Sequence, residues 1–232
     1  MNKIVIITGS TGELGPAVVE KFVKADMTVI ASYRSEKKFQ RLVDRAGGEP
    51  NLIGVKTDLT KEGDVKSLFN EATKQGQLDA LCHITGGFWM GGDISETSLD
   101  NWNKMIDLNL MITFLCTREA FAIMKKQQQG HIITLSAQTA LELPAGKGAY
   151  AVSKAGVLAL AEVIAKEGKN YNIKVNTILP STIDTEENRK SMPNADFDKW
   201  VTPEEIAKVI FELAGGEISA ISGTAIKMYG KV

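Results

Sequence analysis

The segment that decides the fold reads Thr8-Gly9-Ser10-Thr11-Gly12-Glu13-Leu14-Gly15-Pro16. It follows an apolar run over residues 3–8 and leads into a helical pattern that continues to Ala25. Its glycines permit positive φ and close approach of the backbone to a ligand, and the helix N-terminus offers free N–H groups to a pyrophosphate. A turn of this kind between a first strand and a first helix predicts dinucleotide binding, with a purely structural turn as the alternative.

The rest of the chain alternates short β-rich runs with longer helical patterns and contains no internal repeat or low-complexity linker. The predicted strands cover residues 3–8, 27–32, 52–56, 78–84, 131–136, 173–179 and 225–229. The predicted helices cover residues 13–25, 36–46, 61–75, 98–126, 148–168 and 203–214. Several strands are apolar on both faces, as a parallel sheet covered by helices requires. The pattern predicts an α/β fold with a doubly wound parallel sheet (Rossmann-type), in a single domain over residues 1–232.

Charge and hydropathy exclude several function classes. The chain has 232 residues with 27 Lys and Arg against 28 Asp and Glu, which gives a formal net charge of −1. This balance, without a long run of one sign, provides no electrostatic surface for nucleic acid or an anionic membrane. No apolar stretch is expected to reach the ~18 residues of a membrane span, and the N-terminus is too short for a signal peptide. The sequence therefore predicts a cytoplasmic protein.

The cysteines and histidines predict neither a disulfide nor a metal site. Cys82 lies in a strand-like apolar run and Cys116 in a helical one, which indicates buried free thiols. His83 and His131 have no Cys or carboxylate partners at metal-binding spacing.

The end of the predicted second strand indicates the type of dinucleotide. An Asp or Glu there would bind the ribose 2′-OH of NAD(H), whereas this chain has Ala31-Ser32-Tyr33-Arg34-Ser35 followed by Lys37. Arg34 can bind a 2′-phosphate through its forked guanidinium, and Ser32 or Ser35 can donate to it. NADP(H) is therefore favoured over NAD(H). The alternative is that Arg34 is only a solvated charge at the start of a helix.

A tyrosine and a lysine lie one helical turn apart in Tyr150-Ala-Val-Ser-Lys154. A phenol with an ordinary pKa near 10 is a poor acid at neutral pH. We expect Lys154 to favour the phenolate and to lower the pKa of Tyr150, which suits this phenol for proton transfer coupled to hydride movement. Lys154 can also hold the ribose of a nicotinamide nucleotide. This spacing occurs in many helices, and it gains its meaning from the nucleotide-binding turn that precedes it.

These motifs resemble those of the short-chain dehydrogenase/reductase family over essentially the whole chain. The matching motifs are the glycine turn, Asp58-Leu59, Thr85-Gly86-Gly87, Asn109, Tyr150-x3-Lys154 and Pro180-x4-Thr185. The resemblance implies that Tyr150 is the general acid and base, that Lys154 binds the ribose and tunes Tyr150, and that Asn109 supports a proton-relay water.

The same resemblance implies where the cofactor contacts lie. Asp58 and Leu59 would contact the adenine, and Thr85, Gly86 and Gly87 would pass close to the cofactor. Pro180, Thr182, Ile183 and Thr185 would face the nicotinamide. With the residues taken from the turn and the second strand, the predicted site also includes Gly9, Ser10, Thr11, Gly12, Glu13, Leu14, Gly15, Ser32, Tyr33, Arg34 and Ser35.

The chain departs from the family pattern at several positions. Glu13 stands in the turn where short members have Gly, and His83-Ile84-Thr85-Gly86 replaces the usual Asn-Asn-Ala-Gly. The usual position of the catalytic Ser, 13 residues before Tyr150, holds Ala137, and Ser136 lies one residue too early. A second hydroxyl donor normally stabilises the alkoxide formed from a ketone, and loss of such a donor can cost about 3 kcal/mol. Either Ser136 moves into place as a catalytic residue, or the substrate does not need it.

A narrower resemblance concerns residues 86–92 and 179–200. These segments look like the dihydropteridine reductase branch, which has the Tyr and Lys pair without the Ser and reduces a conjugated quinonoid ring. That branch prefers NADH through an acidic residue at the end of strand two, which this chain lacks. Phe88 and Trp89 could stack on a flat heterocycle or simply pack within their loop.

Two further features predict a covering loop and an oligomer. Residues 180–202 form the longest connection, which indicates a substrate-covering segment or, alternatively, a disordered surface excursion. The predicted helix over residues 148–168 is apolar around most of its circumference. We therefore expect one of its faces to form a subunit interface in a homo-dimer or homo-tetramer.

The sequence favours an NADP(H)-dependent oxidoreductase that moves hydride to or from a small carbonyl or conjugated C=N substrate, such as a quinonoid dihydropteridine. A general carbonyl or 3-oxoacyl reductase is the alternative enzyme, and it would require Ser136 as a second donor. A non-catalytic dinucleotide-sensing regulator is the alternative from another class, although such a protein has no need of a tuned phenol.

Overall fold

A parallel β-sheet forms the centre of the computed structural model, which describes residues 2–215, 218 and 220–231. The strands are β1 (Ile4–Thr8), β2 (Thr28–Tyr33), β3 (Leu52–Lys56), β4 (Leu78–His83), β5 (Gly130–Leu135), β6 (Ile173–Pro180) and β7 (Thr224–Met228). They lie in the order β3-β2-β1-β4-β5-β6-β7, and every pair is parallel. The carboxyl ends of all these strands therefore meet at one edge of the sheet.

Helices connect the strands and cover both faces of the sheet. They are α1 (Gly15–Val23), α2 (Glu36–Arg45), α3 (Glu62–Gln75), α4 (Leu99–Met105), α5 (Ile112–Gln127), α6 (Thr139–Glu142), α7 (Gly148–Gly168), α8 (Glu186–Ser191) and α9 (Pro203–Ala214). On one face α1 and α9 pack through residues such as Phe22 and Ile210, and on the other α3, α5 and α7 pack through Phe69, Met124 and Ile164. Because the strands are apolar on both sides, each face has its own buried core.

The predicted fold class, the doubly wound Rossmann-type sheet, is confirmed, and so are the buried free thiols of Cys82 and Cys116. The predicted first helix began too early, because residues 9–14 form the glycine turn and α1 begins at Gly15. The helix predicted over residues 98–126 is divided into α4 and α5 by a π-helical turn, Ile106–Met111. A π turn accommodates one extra residue, and such turns are frequent at functional sites.

Helix α7 and the turn that follows it bear on the expectation about membrane spans. Over an 18-residue window the segment Gly148–Tyr171 has a mean hydropathy of 1.4, so by length and composition alone it could cross a bilayer. Lys154 interrupts its apolar run, so the sequence contains no uninterrupted apolar stretch of this length here, as expected. In the structure this helix packs along the sheet, with Ala149, Val157 and Ala161 buried.

Candidate active site

The glycine turn closes against the carboxyl ends of β2 and β4. Gly9 has a φ of +74°, and a Cβ at this position would lie 2.9 Å from the backbone N of Thr85. A Cβ at Gly15 would lie 2.2 Å from the carbonyl oxygen of Ser10, and Ser10 Oγ donates to the carbonyl of Ser32 at 2.7 Å. The backbone can therefore pass this close to β4 and begin α1 only with glycine at these two positions.

The turn and the end of β4 leave a polar group for a ligand. The hydroxyl of Thr85 is buried and has no hydrogen-bond partner within the described part of the protein. It lies beside Gly9, at the strand edge where the N-terminus of α1 also points. A buried hydroxyl next to a helix N-terminus and a close-approaching backbone fits the phosphate and ribose groups of a dinucleotide.

The end of β2 presents an exposed guanidinium and a neighbouring carboxylate. Arg34 is exposed and forms no hydrogen bond or ion pair among the described residues. Ser35 accepts from the Lys38 N–H at 3.4 Å as the N-cap of α2, and Ser32 is buried. Glu36 was not considered from the sequence, but its Oε2 accepts from the Tyr33 hydroxyl at 2.9 Å.

Asp58 and Leu59 follow β3 along the same edge. Asp58 Oδ1 accepts from the Thr60 N–H and hydroxyl at 3.1 and 2.7 Å, and these hydrogen bonds hold the pKa of Asp58 below its ordinary value. Leu59 is buried. The pair is thus fixed in place on the β3 side of the glycine turn.

Asn109 joins the loop after β4 to α7. It is fully buried in the π-helical turn, where its Oδ1 accepts from the Gly87 N–H at 2.9 Å. Its Nδ2 donates to the Gly87 carbonyl at 3.1 Å and to Ser153 Oγ at 3.0 Å. A Cβ at Gly86 would lie 2.8 Å from Asn109 Oδ1 and 3.0 Å from Lys154 Nζ. Sequence reasoning did not identify Ser153, because nothing in the spacing shows that it supports Asn109.

Tyr150 and Lys154 lie in the first turns of α7, where Tyr150 is partly buried and Lys154 is buried. Lys154 is 4% exposed, and its Nζ donates to the carbonyl of Leu135 at 2.9 Å. Burial lowers the pKa of Lys154 to about 8 and raises the pKa of Tyr150 to about 12. The second shift corrects the expectation that Lys154 lowers the pKa of this phenol. In the protein without cofactor, burial disfavours the charged phenolate, and this effect raises the pKa of Tyr150.

The hydroxyl of Ser136 is hydrogen-bonded within the protein. Its side chain is 2% exposed, and its Oγ donates to the backbone carbonyl of Lys154 at 2.8 Å. Its own N–H donates to the Ile178 carbonyl at 2.9 Å, which fixes the end of β5 to β6. Ser136 could therefore act as the catalytic hydroxyl only if its Oγ left the Lys154 carbonyl.

Phe88 and Trp89, in the loop after β4, have different surroundings. Phe88 is 58% exposed, its ring lies 4.9 Å from that of Tyr150 in an edge-to-face arrangement, and Lys147 Nζ lies 5.7 Å from its centroid. Trp89 instead covers Gly91, where a Cβ would meet its ring at 2.4 Å. Of the two aromatic residues, Phe88 is therefore the one beside the reactive phenol.

Residues 180–202 lie over the same edge as a structured segment. Ile183 and Val201 form a parallel bridge, and the Asp184 N–H donates to the Val201 carbonyl at 2.8 Å. Between them, α8 begins after Thr185, whose hydroxyl accepts from the Asn188 N–H at 3.2 Å. The ends of the segment are thus joined to each other.

Helix α8 also lies near the glycine turn. The Glu186 carboxylate and, more weakly, the Glu13 carboxylate raise the pKa of Lys190. Glu13 is exposed in the turn and Lys190 belongs to α8, so the charge of the turn acts on this helix.

Comparison with known proteins identifies the family. Residues 3–196 match the family model described as short chain dehydrogenase. Glucose 1-dehydrogenase 2 of Bacillus subtilis is 28% identical, over 98% of this chain and 93% of that protein. The 3-oxoacyl-(acyl-carrier-protein) reductase FabG of Thermotoga maritima is 29% identical, over 98% of this chain and 96% of that protein.

A solved structure has the same fold with a nucleotide present. ElxO with NADP bound superposes with a TM-score of 0.92 at 29% identity, over 99% of this chain and 98% of that one. The names of these relatives do not support the narrower dihydropteridine reductase branch. Since the family model spans most of the sheet and the motifs of the strand edge, the chain belongs to the short-chain dehydrogenase/reductase family and is an NAD(P)-dependent oxidoreductase.

Proposed function

We propose that this chain uses NADPH to reduce a conjugated carbonyl or C=N carbon of a small molecule, with Tyr150 as its single hydroxyl donor. The observation that carries the proposal is the internal hydrogen bond of Ser136, whose Oγ donates to the Lys154 carbonyl at 2.8 Å. Ala137, which has no polar side chain, occupies the usual position of the second donor. A quinonoid dihydropteridine is one substrate that fits this chemistry.

The residues along the strand edge would hold the cofactor. Gly9, Ser10, Thr11, Gly12, Glu13, Leu14 and Gly15 would surround the pyrophosphate, with the free N–H groups of α1 behind it. Asp58 and Leu59 would contact the adenine, Thr85, Gly86 and Gly87 the central part, and Pro180, Thr182, Ile183 and Thr185 the nicotinamide end. The bound nicotinamide would supply the hydride.

Arg34 supports the preference for NADPH. Its guanidinium is exposed and forms no recorded contact with a described carboxylate, so it is free to bind a 2′-phosphate. Glu36 lies close by, but its carboxylate accepts the hydroxyl of Tyr33 at 2.9 Å. The similar protein ElxO was solved with NADP bound.

Tyr150 would act as an acid in the reduction. With a pKa raised to about 12 by burial, its Oη keeps a proton at neutral pH and can donate it to the oxygen or nitrogen that gains negative charge. The Lys154 ammonium uses one N–H for the Leu135 carbonyl and has others for the ribose hydroxyls of the cofactor. Asn109 would keep the loop after β4 in place through its hydrogen bonds with Gly87.

The missing second donor favours conjugated substrates. A simple ketone concentrates the new charge on one oxygen, and the loss of one donor to such an oxyanion costs about 3 kcal/mol. A conjugated or quinonoid substrate spreads this charge over several atoms, so one donor is sufficient. The edge-to-face contact of Phe88 with Tyr150 gives the phenol an apolar aromatic neighbour, which supports a planar conjugated substrate.

The test is NADPH oxidation, followed by absorbance, with a panel that pairs conjugated and saturated substrates of similar size. We expect quinonoid pterins, quinones or conjugated enones to be reduced with higher kcat/KM than simple ketones, aldoses or 3-oxoacyl thioesters. Tyr150→Phe should lower kcat at least ~100-fold, as loss of a general acid does. Tyr171→Phe, at the far end of the same helical segment, is the control. Equal activity of Tyr150→Phe and the parent would contradict the proposal.

A carbonyl or 3-oxoacyl reductase is the second candidate, and the relative from Thermotoga maritima favours it. This function would need Ser136 to leave the Lys154 carbonyl and donate to substrate. A loss of kcat of ~100-fold or more in Ser136→Ala would select it, whereas near-parental kcat selects the conjugated substrate. A non-catalytic sensor is disfavoured by the oxidoreductase relatives.

We also propose a homo-dimer or homo-tetramer that uses the outer face of α7. On this face Val152 and Val163 are 45% and 51% exposed. Two further apolar side chains, Met111 at the end of the π-helical turn and Phe114 in α5, are 45% and 41% exposed. Sedimentation of the parent at micromolar concentration should show an oligomer that Val163→Asp dissociates. A monomeric parent would remove this interface.

A further inference from the structure

His83 is a buried imidazole at the site that the proposed chemistry does not use. It is the last residue of β4 and is 1% exposed. Its Nδ1 lies 2.9 Å from Thr8 Oγ1 on the neighbouring strand β1, while its Nε2 is buried and has no partner in the described part of the chain. A buried ring nitrogen without a partner calls for a functional explanation.

The sheet register places His83 within a row of polar side chains. Thr8 pairs with His83, His83 pairs with Thr134 on β5, and Thr134 pairs with Thr177 on β6. Equivalent positions of parallel strands point to the same face, here the face covered by α5 and α7. The hydroxyls of Thr134 and Thr177 form a hydrogen bond with each other, with 2.8 Å between their oxygens. The row therefore leaves only Nε2 of His83 without a described partner.

Lys154 reaches the same corner of the site from α7. Its Nζ donates to the carbonyl of Leu135, the residue after Thr134, and it lies 3.0 Å from where a Cβ of Gly86 would be. The ammonium is thus held between the carboxyl end of β5 and the segment just after His83. Its positive charge contributes to lowering the pKa of His83, after the larger effect of burial, to about 3. The imidazole is therefore neutral.

A neutral imidazole carries one N–H and one lone pair, and its surroundings determine which nitrogen has which. The Thr8 hydroxyl can either donate or accept, so it fits both tautomers. Nδ1 is bonded on the β1 side of β4, whereas the Lys154 ammonium is bonded to Leu135 on β5, the neighbour on the other side. In a low-dielectric interior the nitrogen on the side of a cation favours a lone pair over an N–H dipole. The favoured tautomer has the proton on Nδ1 and the lone pair on Nε2.

We propose that His83 is a positioning residue for Lys154: its Nδ1–H donates to Thr8 Oγ1, and its Nε2 lone pair stabilises the ammonium form of Lys154. This inference rests on the proposed role of Lys154 in holding the cofactor. The other titratable groups at this corner are His83 at the end of β4, whose pKa the Lys154 charge helps to lower, and Tyr150, one turn before Lys154 on α7. No described carboxylate forms an ion pair with Lys154. Asn109 and Ser153 line the same corner as uncharged groups.

The first test is the tautomer, read from ¹⁵N NMR of the full-length protein labelled at histidine. The chain has 2 histidines, so His131 serves as the internal reference. We expect a protonated Nδ1 and an unprotonated Nε2 at His83, with the Nε2 resonance shifted in Lys154→Met. A protonated Nε2, or a resonance that Lys154→Met leaves unchanged, would overturn the proposal.

The second test is the pH dependence of kcat/KM in His83→Leu and His83→Gln. Loss of the lone pair destabilises the ammonium, so His83→Leu should move the alkaline fall of activity to lower pH by at least ~0.5, a threefold change in proton affinity. His83→Gln offers an amide oxygen in place of Nε2 and should restore the parental profile. If the alkaline fall of kcat/KM occurs at the same pH in His83→Leu and in the parent, the positioning role is refuted.

Thr134→Val is the matched control, because Thr134 is buried in the same row and its hydroxyl bonds Thr177 rather than His83. It should lower stability without moving the pH profile, and a shift as large as that of His83→Leu would also refute the inference. If the parent proves inactive on every substrate, the proposed function fails, while the tautomer experiment still decides the state of His83. If His83→Leu does not fold, the tautomer experiment on the parent protein still tests the proposal.

Discussion

Replacing Lys154 by Met removes a buried charge, and we expect the cofactor-free protein to become more stable near neutral pH while it loses activity. Lys154 is 4% exposed, and burial lowers its pKa from 10.5 to about 8. At about 1.36 kcal/mol for each tenfold change in proton affinity, this lowering corresponds to ~3 kcal/mol against the ammonium in the folded state. Met keeps the apolar stem but leaves the Leu135 carbonyl without its donor, which costs ~1–2 kcal/mol at every pH.

The pH dependence separates the charge from the lost hydrogen bond. Because the folded-state pKa of Lys154 is lower than the unfolded one, the unfolded chain binds more protons between about pH 8 and pH 10.5. The parent should therefore gain stability relative to Lys154→Met as the pH rises through this window, by ~2 kcal/mol at about pH 9.5. Below about pH 8 Lys154 is protonated in both states, so the full cost of the buried ammonium lowers the stability of the parent. Tyr150, with a pKa of about 12, keeps its proton in both proteins.

Urea unfolding of the parent and the variant, at several pH values from about 7 to about 9.5, measures this difference. Lys166→Met removes an exposed lysine of the same helix, paired with Glu162, and is the control. A difference in unfolding free energy between the parent and Lys154→Met that does not change with pH would refute the reasoning.

The remaining predictions concern residues around the same strand edge. Ser136→Ala should lower the free energy of unfolding by ~0.5–1.5 kcal/mol in urea titrations, since it removes one buried hydrogen bond to the Lys154 carbonyl; unchanged stability would contradict the described hydrogen bond. Gly86→Ala would place a methyl group 2.8 Å from Asn109 Oδ1 and 3.0 Å from Lys154 Nζ. It should lower stability by ~1–3 kcal/mol and raise KM for NADPH, and parental values of both would argue against this close packing. Arg34→Ala should raise KM for NADPH ~10-fold or more and leave KM for NADH nearly unchanged; an equal effect on both cofactors would remove the 2′-phosphate assignment.

The fold and the position of the site were predictable because their signals are local. The glycine turn, the strands apolar on both faces and the Tyr150 to Lys154 spacing each lie within one segment, and parallel strands bring their carboxyl ends together without further information.

Other features depend on contacts between distant segments. The π-helical turn exists where Asn109 bonds Gly87 and Ser153, which no helical periodicity reveals. The orientation of Ser136 follows from its contact with the Lys154 carbonyl, 18 residues away. The raised pKa of Tyr150 results from burial by the assembled fold, whereas the sequence shows only a neighbouring cation.

Hydrogen bonds join residues 180–202 to the last strand and the residues that follow it. Ser181 donates from its N–H to the Met228 carbonyl and from its Oγ to the Tyr229 carbonyl, both at 3.0 Å, and the Lys231 N–H donates to the Lys199 carbonyl at 3.0 Å. Anything fused after these residues would pull on both ends of residues 180–202. Purification tags and fluorescent fusions therefore belong before β1, whose amino end lies at the opposite edge of the sheet, and kinetic constants from C-terminally tagged protein would describe an enzyme in which residues 180–202 are disturbed.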